Sequence, residues 1–400
     1  MISTTSLTPI SVCMFDNEVV RGGAEEHMLC LLRGLDRRRF RLLLVCPEEL
    51  LALLRPELPD DVETLSLALQ SHRQLGRISA LRDFLRGQHV QILHSHGFRP
   101  SILASPVGWL TGVPVRIETP HVREYWRKGW KANFAIDRIA GRFVTQYIAV
   151  SEANHRYLVE EKGLPAEKVV TILNGSDIER FDRTHVLPED FRRRSNLAES
   201  DQVLLVAARL EPQKGHSVLL TAMKLLQAEF PALRLVALGD GSLRGELEAE
   251  IHTLGLEDSV SMPGHCSDIR DWMSAADVCV LPSFAEGLPL FAIECLAAGR
   301  PMVATSVDGT PEIVVDGKSG ILVPPGNPGA LAEGIARLLR DRTLAERLGA
   351  DGAKWVRERF TLTRQIHETE DLYERLWCER TRNTLPRACE ARDPRLMGRC

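Results

Sequence analysis

The chain of 400 residues contains no apolar run approaching the roughly 18–20 residues that a membrane-spanning helix needs. A membrane-spanning helix is therefore not expected. Its first residues, MISTTSLTPISVCMF, lack the basic start and long apolar core of a signal peptide, so a cytoplasmic location is expected. None of the nine cysteines forms a CxxC pair, which leaves no zinc knuckle and no dithiol redox motif. Cys13, Cys46 and Cys279 fall in hydrophobic runs and read as buried, reduced thiols. No HExxH, GxSxG, P-loop or GxGxxG fingerprint occurs, so those hydrolase and nucleotide-binding chemistries have no motif to rest on. A formal charge of −4 supplies no general attraction for nucleic acid, and none is expected as a partner. Internal repeats and low-complexity tracts are also absent.

What is present is an ordinary globular composition, 44% hydrophobic and 26% charged, in a chain long enough for two domains. Short apolar, β-branched runs alternate with amphipathic stretches throughout. Strands are expected at 10–15, 41–46, 91–94, 115–119 and 146–151, and in a second series at 203–208, 234–239, 259–262, 278–281, 301–304 and 321–323. Helices are expected at 23–35, 74–86, 216–228, 243–253 and 328–339, with a helical run from 345 to 377. Such alternation predicts α/β architecture with parallel sheets and crossover helices. The polar stretch 178–201, with Pro188 and several arginines, separates the two series. The expected domains are 1–178 and 179–355, followed by a helical segment at 356–378 that packs back on the first domain and a disordered tail at 379–400.

The most informative segment is LPSFAEGLPLFAIECLAAGRP at 281–301. A strand ends, a loop carries Glu286, Gly287 and Leu288, and a helix beginning near Leu290 carries Glu294. Helix N-termini hold unpaired N–H groups and positive partial charge, a seat for phosphate. Carboxylates on either side suit hydroxyl groups, which donate hydrogen bonds to them. Phosphate flanked by hydroxyls describes a nucleotide-sugar.

Other segments fit around it. Arg209 and Lys214, in ARLEPQKG, emerge on the loop after a strand and can neutralise a diphosphate, Arg as a planar fork and Lys as a point charge. A solvated loop with ordinary surface charges would look the same. Gly22 and Gly23, in RGGAE, allow close approach of a phosphate between the first strand and helix, although a plain turn explains a glycine pair as readily. Gly241, in LGDGSL, either opens space for a nucleotide or merely makes the turn, and Ser242 is a candidate N-cap. His265, after another strand, could border a base. His94 and His96 form an HxH pair, yet no third metal ligand stands at suitable spacing. His121, just past a strand end, reads as a hydrogen-bond donor to a ligand. A strict DxD pair, the usual seat for a metal on a nucleotide-sugar diphosphate, is missing. Arg209, Lys214 and a helix dipole could do that electrostatic work without metal.

Together these segments resemble the retaining glycosyltransferases of family 4. Glu286 and Glu294 match that family's E-x7-E motif, followed by CLAAGRPMVATSVDGTPEIVVDGKSGILVPPGNP; AVS at 149–151, LNGSD at 173–177 and ARLEPQKG at 208–215 fall where the family has its own motifs. The resemblance implies the GT-B fold, two Rossmann-like α/β/α domains facing each other across a deep cleft. It implies a nucleoside-diphosphate sugar as donor substrate, no cofactor and no metal. Arg209 and Lys214 would bind the diphosphate with N–H groups near Gly23 and around Leu288 and Leu290. Glu294 would meet the ribose, Glu286 the transferred sugar, and His121 the reacting centre. Ser176 departs from the pattern, where family members often carry Val or Ile.

Two rivals compete with a glycosyltransferase: a nucleotide-sugar 2-epimerase of the same architecture, and a non-catalytic binding subunit. The acceptor is not encoded in any motif. The arginine cluster at 37–41 and the aromatic-basic patch at 126–131 fit a lipid-linked sugar and peripheral contact with the inner membrane surface, in polysaccharide or glycolipid assembly; a soluble sugar acceptor fits nearly as well.

Overall fold

The computed structural model describes residues 8–69, 75–123, 131–182, 188–195, 197–266 and 269–384. They form two compact units. One comprises the described residues up to 150, with 155–172 and 363–384, the other the described residues of 151–154 and 173–362.

The first unit is built on seven parallel strands: β1 (Ile10–Phe15), β2 (Phe40–Cys46), β3 (Glu63–Ser66), β4 (Ile92–His96), β5 (Val115–Thr119), β6 (Gln146–Ala149) and β7 (Val169–Thr171). Their order is β3-β2-β1-β4-β5-β6-β7. Both faces of this sheet are covered, which explains why β1 and most of β2 read as apolar runs. Val12 and Met14 enter one core cluster, with Met28, Phe40 and Leu44; Cys13 and Phe15 enter another, with Leu43, Val45 and Leu81. The helix Leu362–Thr384 contributes Leu372, Tyr373 and Leu376 to the first of these clusters. Its Glu370 accepts the Asp36 N–H at 2.8 Å and pairs with Arg39.

The second unit holds six parallel strands: β8 (Gln202–Ala207), β9 (Leu233–Leu238), β10 (Val260–Gly264), β11 (Val278–Leu281), β12 (Met302–Thr305) and β13 (Ile321–Val323). Their order, β10-β9-β8-β11-β12-β13, is that of a doubly wound Rossmann sheet. Val278 lies beside Leu204 in the register joining β11 to β8. In each sheet the strand order reverses beside the first strand, so the topological switch points lie at β1/β4 and β8/β11. Ligands in such sheets bind beyond the carboxyl ends of the strands at that point.

Departures from the sequence reading have local causes. Strand β3 has the sequence ETLS, too polar to announce itself, and is an edge strand paired only with β2. Strand β7 has only three residues. The helical run expected over 345–377 is two helices, Arg342–Arg359 and Leu362–Thr384. Between them Thr361 forms a parallel bridge with Ser176, whose N–H donates to Phe360 O and whose carbonyl accepts from Leu362. The last helix continues to Thr384, so residues 379–384 are helical rather than part of a tail; 385–400 lie outside the described residues. No described helix is long and apolar enough to cross a membrane. Cys13, Cys46, Cys279 and Cys295 are buried free thiols.

Candidate active site

In the second unit, β8 delivers Arg209 and Lys214, and β11 delivers Glu286, at the carboxyl edge of adjacent strands. The loop after β8 is held by its own backbone: Glu211 N–H donates to Arg209 O, Lys214 N–H to Glu211 O, and Phe284 N–H to Gln213 O at 2.7 Å. Gly215 then starts the helix His216–Leu226 with φ +68°, and a Cβ there would stand 2.2 Å from Pro282 O. Only glycine allows the two loops to approach this closely.

That approach places Lys214 Nζ 2.7 Å from Glu286 Oε1. The Ser283 hydroxyl donates to the same oxygen at 2.7 Å, and no described group reaches Oε2. Glu286 is 5% exposed and Lys214 15% exposed, so this is a largely desolvated ion pair. The Glu286 N–H donates to Asp308 Oδ2 at 2.9 Å. Asp308 adopts φ +41°, an unusual conformation for a residue other than glycine and one that Asp tolerates better than most. Ser283 and Asp308 were not singled out in the sequence; the Asp308-Gly309 turn signal was its only available trace.

The chain then passes through buried Gly287 and Leu288 into the helix Leu290–Ala297, capped by Pro289. Asn174 Nδ2 donates to Leu288 O at 3.2 Å. Glu294, half-buried on this helix, accepts from the Ser176 hydroxyl at 3.2 Å. The position at which this chain departs from the family pattern therefore touches one of the two motif carboxylates.

Not every expected donor-site residue gathers here. His265 follows β10, the edge strand, separated from β8 by β9, and is exposed. A Cβ on Gly241 would stand 2.5 Å from Leu210 O, so close backbone packing accounts for this glycine. Ser242 does not cap its helix. The N-cap is Leu243, and the Ser242 hydroxyl donates to Glu211 at 2.9 Å.

In the first unit, where N–H groups near Gly23 were expected to meet a phosphate, the Gly22 N–H donates to Glu25 Oε2 at 2.7 Å, at the start of the helix Gly23–Gly34. Nearby Asp16 is buried at the end of β1; burial and the Glu25 charge push its carboxyl well above the usual range. The Glu25 carboxylate thus already takes the Gly22 N–H.

The histidines are arranged differently from the HxH reading. His94 Nδ1 pairs with Tyr373 Oη at 2.6 Å and its Nε2 with Thr119 Oγ1 at 2.7 Å, deep in the core. His96, two residues on along the same face of β4 with its ring centroid 4.4 Å from that of His94, pairs through Nδ1 with His121 Nε2 at 3.1 Å. His27 completes the group, edge-on to His121 at 4.8 Å between ring centroids and beside the Gln365 amide. Ring nitrogens of His27, His96 and His121 all lie within 4.8 Å of one another, a grouping that the sequence spacing around the HxH pair did not offer. The tertiary fold, not the spacing, assembles them. Burial pushes His94 down to about 3, and holds His96 and His121 well below the usual range, so these three rings are neutral.

The arginine cluster is also reassigned. Arg37 pairs with Asp61, Arg38 with Asp36, Arg39 with Glu370 and Glu374, and Arg41 with Glu63. Each positive charge has a carboxylate partner, which leaves little to attract an anionic surface. Residues 126–130 of the aromatic-basic patch lie outside the described residues, and Lys131 begins the helix Lys131–Ala140.

Residues 188–355 match the family model Glycosyl transferases group 1, and residues 21–180 match Glycosyltransferase Family 4. The chain is 32% identical over 322 residues to the D-inositol 3-phosphate glycosyltransferase of Thermobispora bispora, covering 74% of this chain and 72% of that protein. It is 32% identical over 315 residues to the enzyme of the same name from Streptomyces bingchenggensis, covering 72% and 67%. Across the first relatives the match covers 65% to 74% of their own length. Among solved structures, Anabaena Alr3699/HepE in complex with UDP-glucose is similar in fold, with a TM-score of 0.82 and 21% identity over 92% of this chain and all of that one. With two parallel Rossmann-like sheets of GT-B type, the chain belongs to the group 1 glycosyltransferases.

Proposed function

We propose that the protein transfers a sugar from a nucleoside-diphosphate sugar to a sugar or lipid-linked sugar acceptor, with retention of anomeric configuration and without a bound metal. The observation that carries this reading is the Lys214–Glu286 pair at 2.7 Å, at the β8/β11 switch point, one turn before the helix that bears Glu294.

Lys214 and Arg209 supply fixed positive charge where a departing diphosphate gains negative charge. Preorganised charge of this kind stabilises a leaving group without reorganisation during the reaction. The N-terminus of Leu290–Ala297 adds N–H donors and the positive end of its dipole. Glu286 holds Lys214 and Ser283 through Oε1, and its Oε2 remains to accept from a hydroxyl of the transferred sugar. Glu294, steadied by Ser176, accepts from the ribose. Catalysis then rests on positioning and on stabilising the diphosphate, with the acceptor proton passing to a leaving phosphate oxygen on the same face. The names of several relatives point to phosphorylated inositol as one acceptor class to test. Proton NMR of the first-formed product tests the stereochemical part: the donor's own anomeric configuration is expected, and an inverted product would reject the same-face reaction.

A further inference from the structure

The His96–His121 pair has a geometry that assigns its proton. The rings are nearly coplanar, 17° apart, with centroids 5.4 Å apart and the facing nitrogens 3.1 Å apart. The excess of the centroid separation over the N···N distance matches one ring radius on each side. The nitrogens therefore lie on the line between the rings, as in a straight N–H···N hydrogen bond. A metal ion held by both would need each lone pair aimed at the ion rather than at the opposite nitrogen. Burial keeps both rings neutral, so each carries one N–H.

Two arrangements satisfy the bond, and they differ at His121 Nδ1 and at His96 Nε2, the latter buried with no partner among the described residues. If His121 donates, that nitrogen must carry a proton with nothing to accept it. If His96 Nδ1–H donates, that nitrogen keeps only an unpaired acceptor site, and the second N–H falls on His121 Nδ1, which is not among the fully buried side-chain atoms without a partner. Buried N–H groups without a partner are the rarer and costlier kind of orphan. We propose that His96 is a positioning residue that donates from Nδ1 to His121 Nε2 and so forces the His121 proton onto Nδ1. His121 Nδ1 has no partner among the described residues, and its ring is 9% exposed. His121 is thereby fixed as a donor to an oxygen acceptor on the substrate, a hydroxyl or phosphate oxygen. The role in the reaction rests on the proposed transferase reading; the tautomer does not.

The experiment is 15N-detected tautomer NMR on the full chain near pH 7.5, with zinc content measured on the same sample. The expected result is His121 protonated at Nδ1 over Nε2 by about tenfold or more, the preference that an unpartnered buried donor imposes. In His96→Leu the preference should disappear. In His96→Asn, whose amide nitrogen can replace Nδ1 as donor, it should return. A wild-type His121 protonated at Nε2 would overturn the proposal, as would stoichiometric zinc on the pair or a tautomer unchanged in a folded His96→Leu. The wild-type spectrum decides even where a variant does not fold. Loss of nucleotide binding by the second unit would reject the transferase reading and leave this assignment standing.

Discussion

Lys214 Nζ and Glu286 Oε1 stand 2.7 Å apart although 72 positions separate them in the chain. The sequence reading gave the lysine to the diphosphate and the glutamate to the sugar, as separate tasks. The structure makes them one unit, in which the carboxylate also orients the cation. Removing either partner leaves a buried charge alone, which typically costs about 3–5 kcal/mol. Lys214→Met should therefore lower the stability of the chain by an amount in this range, read by urea unfolding, and Lys214→Met with Glu286→Gln should recover part of it. Additive losses in the double variant would contradict the pairing.

Ser176 gives a second test, this one directed at binding. Its hydroxyl donates to Glu294 at 3.2 Å, and a hydrogen bond to a charged group contributes about 1.5–3 kcal/mol at most when shielded from water. Because Glu294 is only half-buried, Ser176→Val should weaken nucleotide affinity by about threefold to tenfold, with little change in melting temperature. Calorimetric titration checks it. Unchanged affinity would detach Ser176 from the site.

Gly215 connects the backbone to the charge pair. At φ +68°, with Pro282 O at 2.2 Å from any added Cβ, Gly215→Ala must shift the loop that carries Lys214. A cost of about 1–3 kcal/mol in stability is expected, together with weaker nucleotide binding. A fully stable variant with normal binding would show that the loops need not approach so closely.

Acid should weaken the first unit. His94 is pushed down to about 3 by burial, from an unfolded value of about 6.5. The unfolded chain therefore binds more protons between these values, and stability falls as pH drops below about 6.5. Each such histidine contributes a slope of up to about 1.4 kcal/mol per pH unit, and His96 and His121 act in the same direction. The contribution is complete above 6.5. Urea midpoints at pH 7 and pH 5 should differ markedly, with a smaller difference in His94→Gln. Equal midpoints in the wild type would contradict neutral, buried imidazoles.

Much of the fold was legible because parallel strands covered on both faces are nearly continuous apolar runs, as at β1, β8 and β11. Polar ETLS at β3 carried no such signal, and the break at Phe360–Thr361 depends on a bridge to Ser176, nearly two hundred positions away. For the candidate site, motif and strand-end position marked Arg209, Lys214, Glu286 and Glu294. Ser283 and Asp308 were invisible because their roles arise from tertiary contact with Glu286. His27 was hidden for the same reason: it lies on the first helix and meets His96 and His121 only when the sheet forms. Gly241 looked like a ligand contact because a tight backbone turn and a nucleotide seat favour the same residue.

The most direct test of the donor site is calorimetric titration of the wild type and Lys214→Ala with UDP, GDP, ADP and their glucose conjugates. The account predicts that at least one nucleotide binds the wild type, and that Lys214→Ala weakens it by about tenfold or more, as expected for loss of a charge-assisted contact to phosphate. Binding of equal strength to the folded variant, or no binding of any of these nucleotides to the wild type, would contradict it.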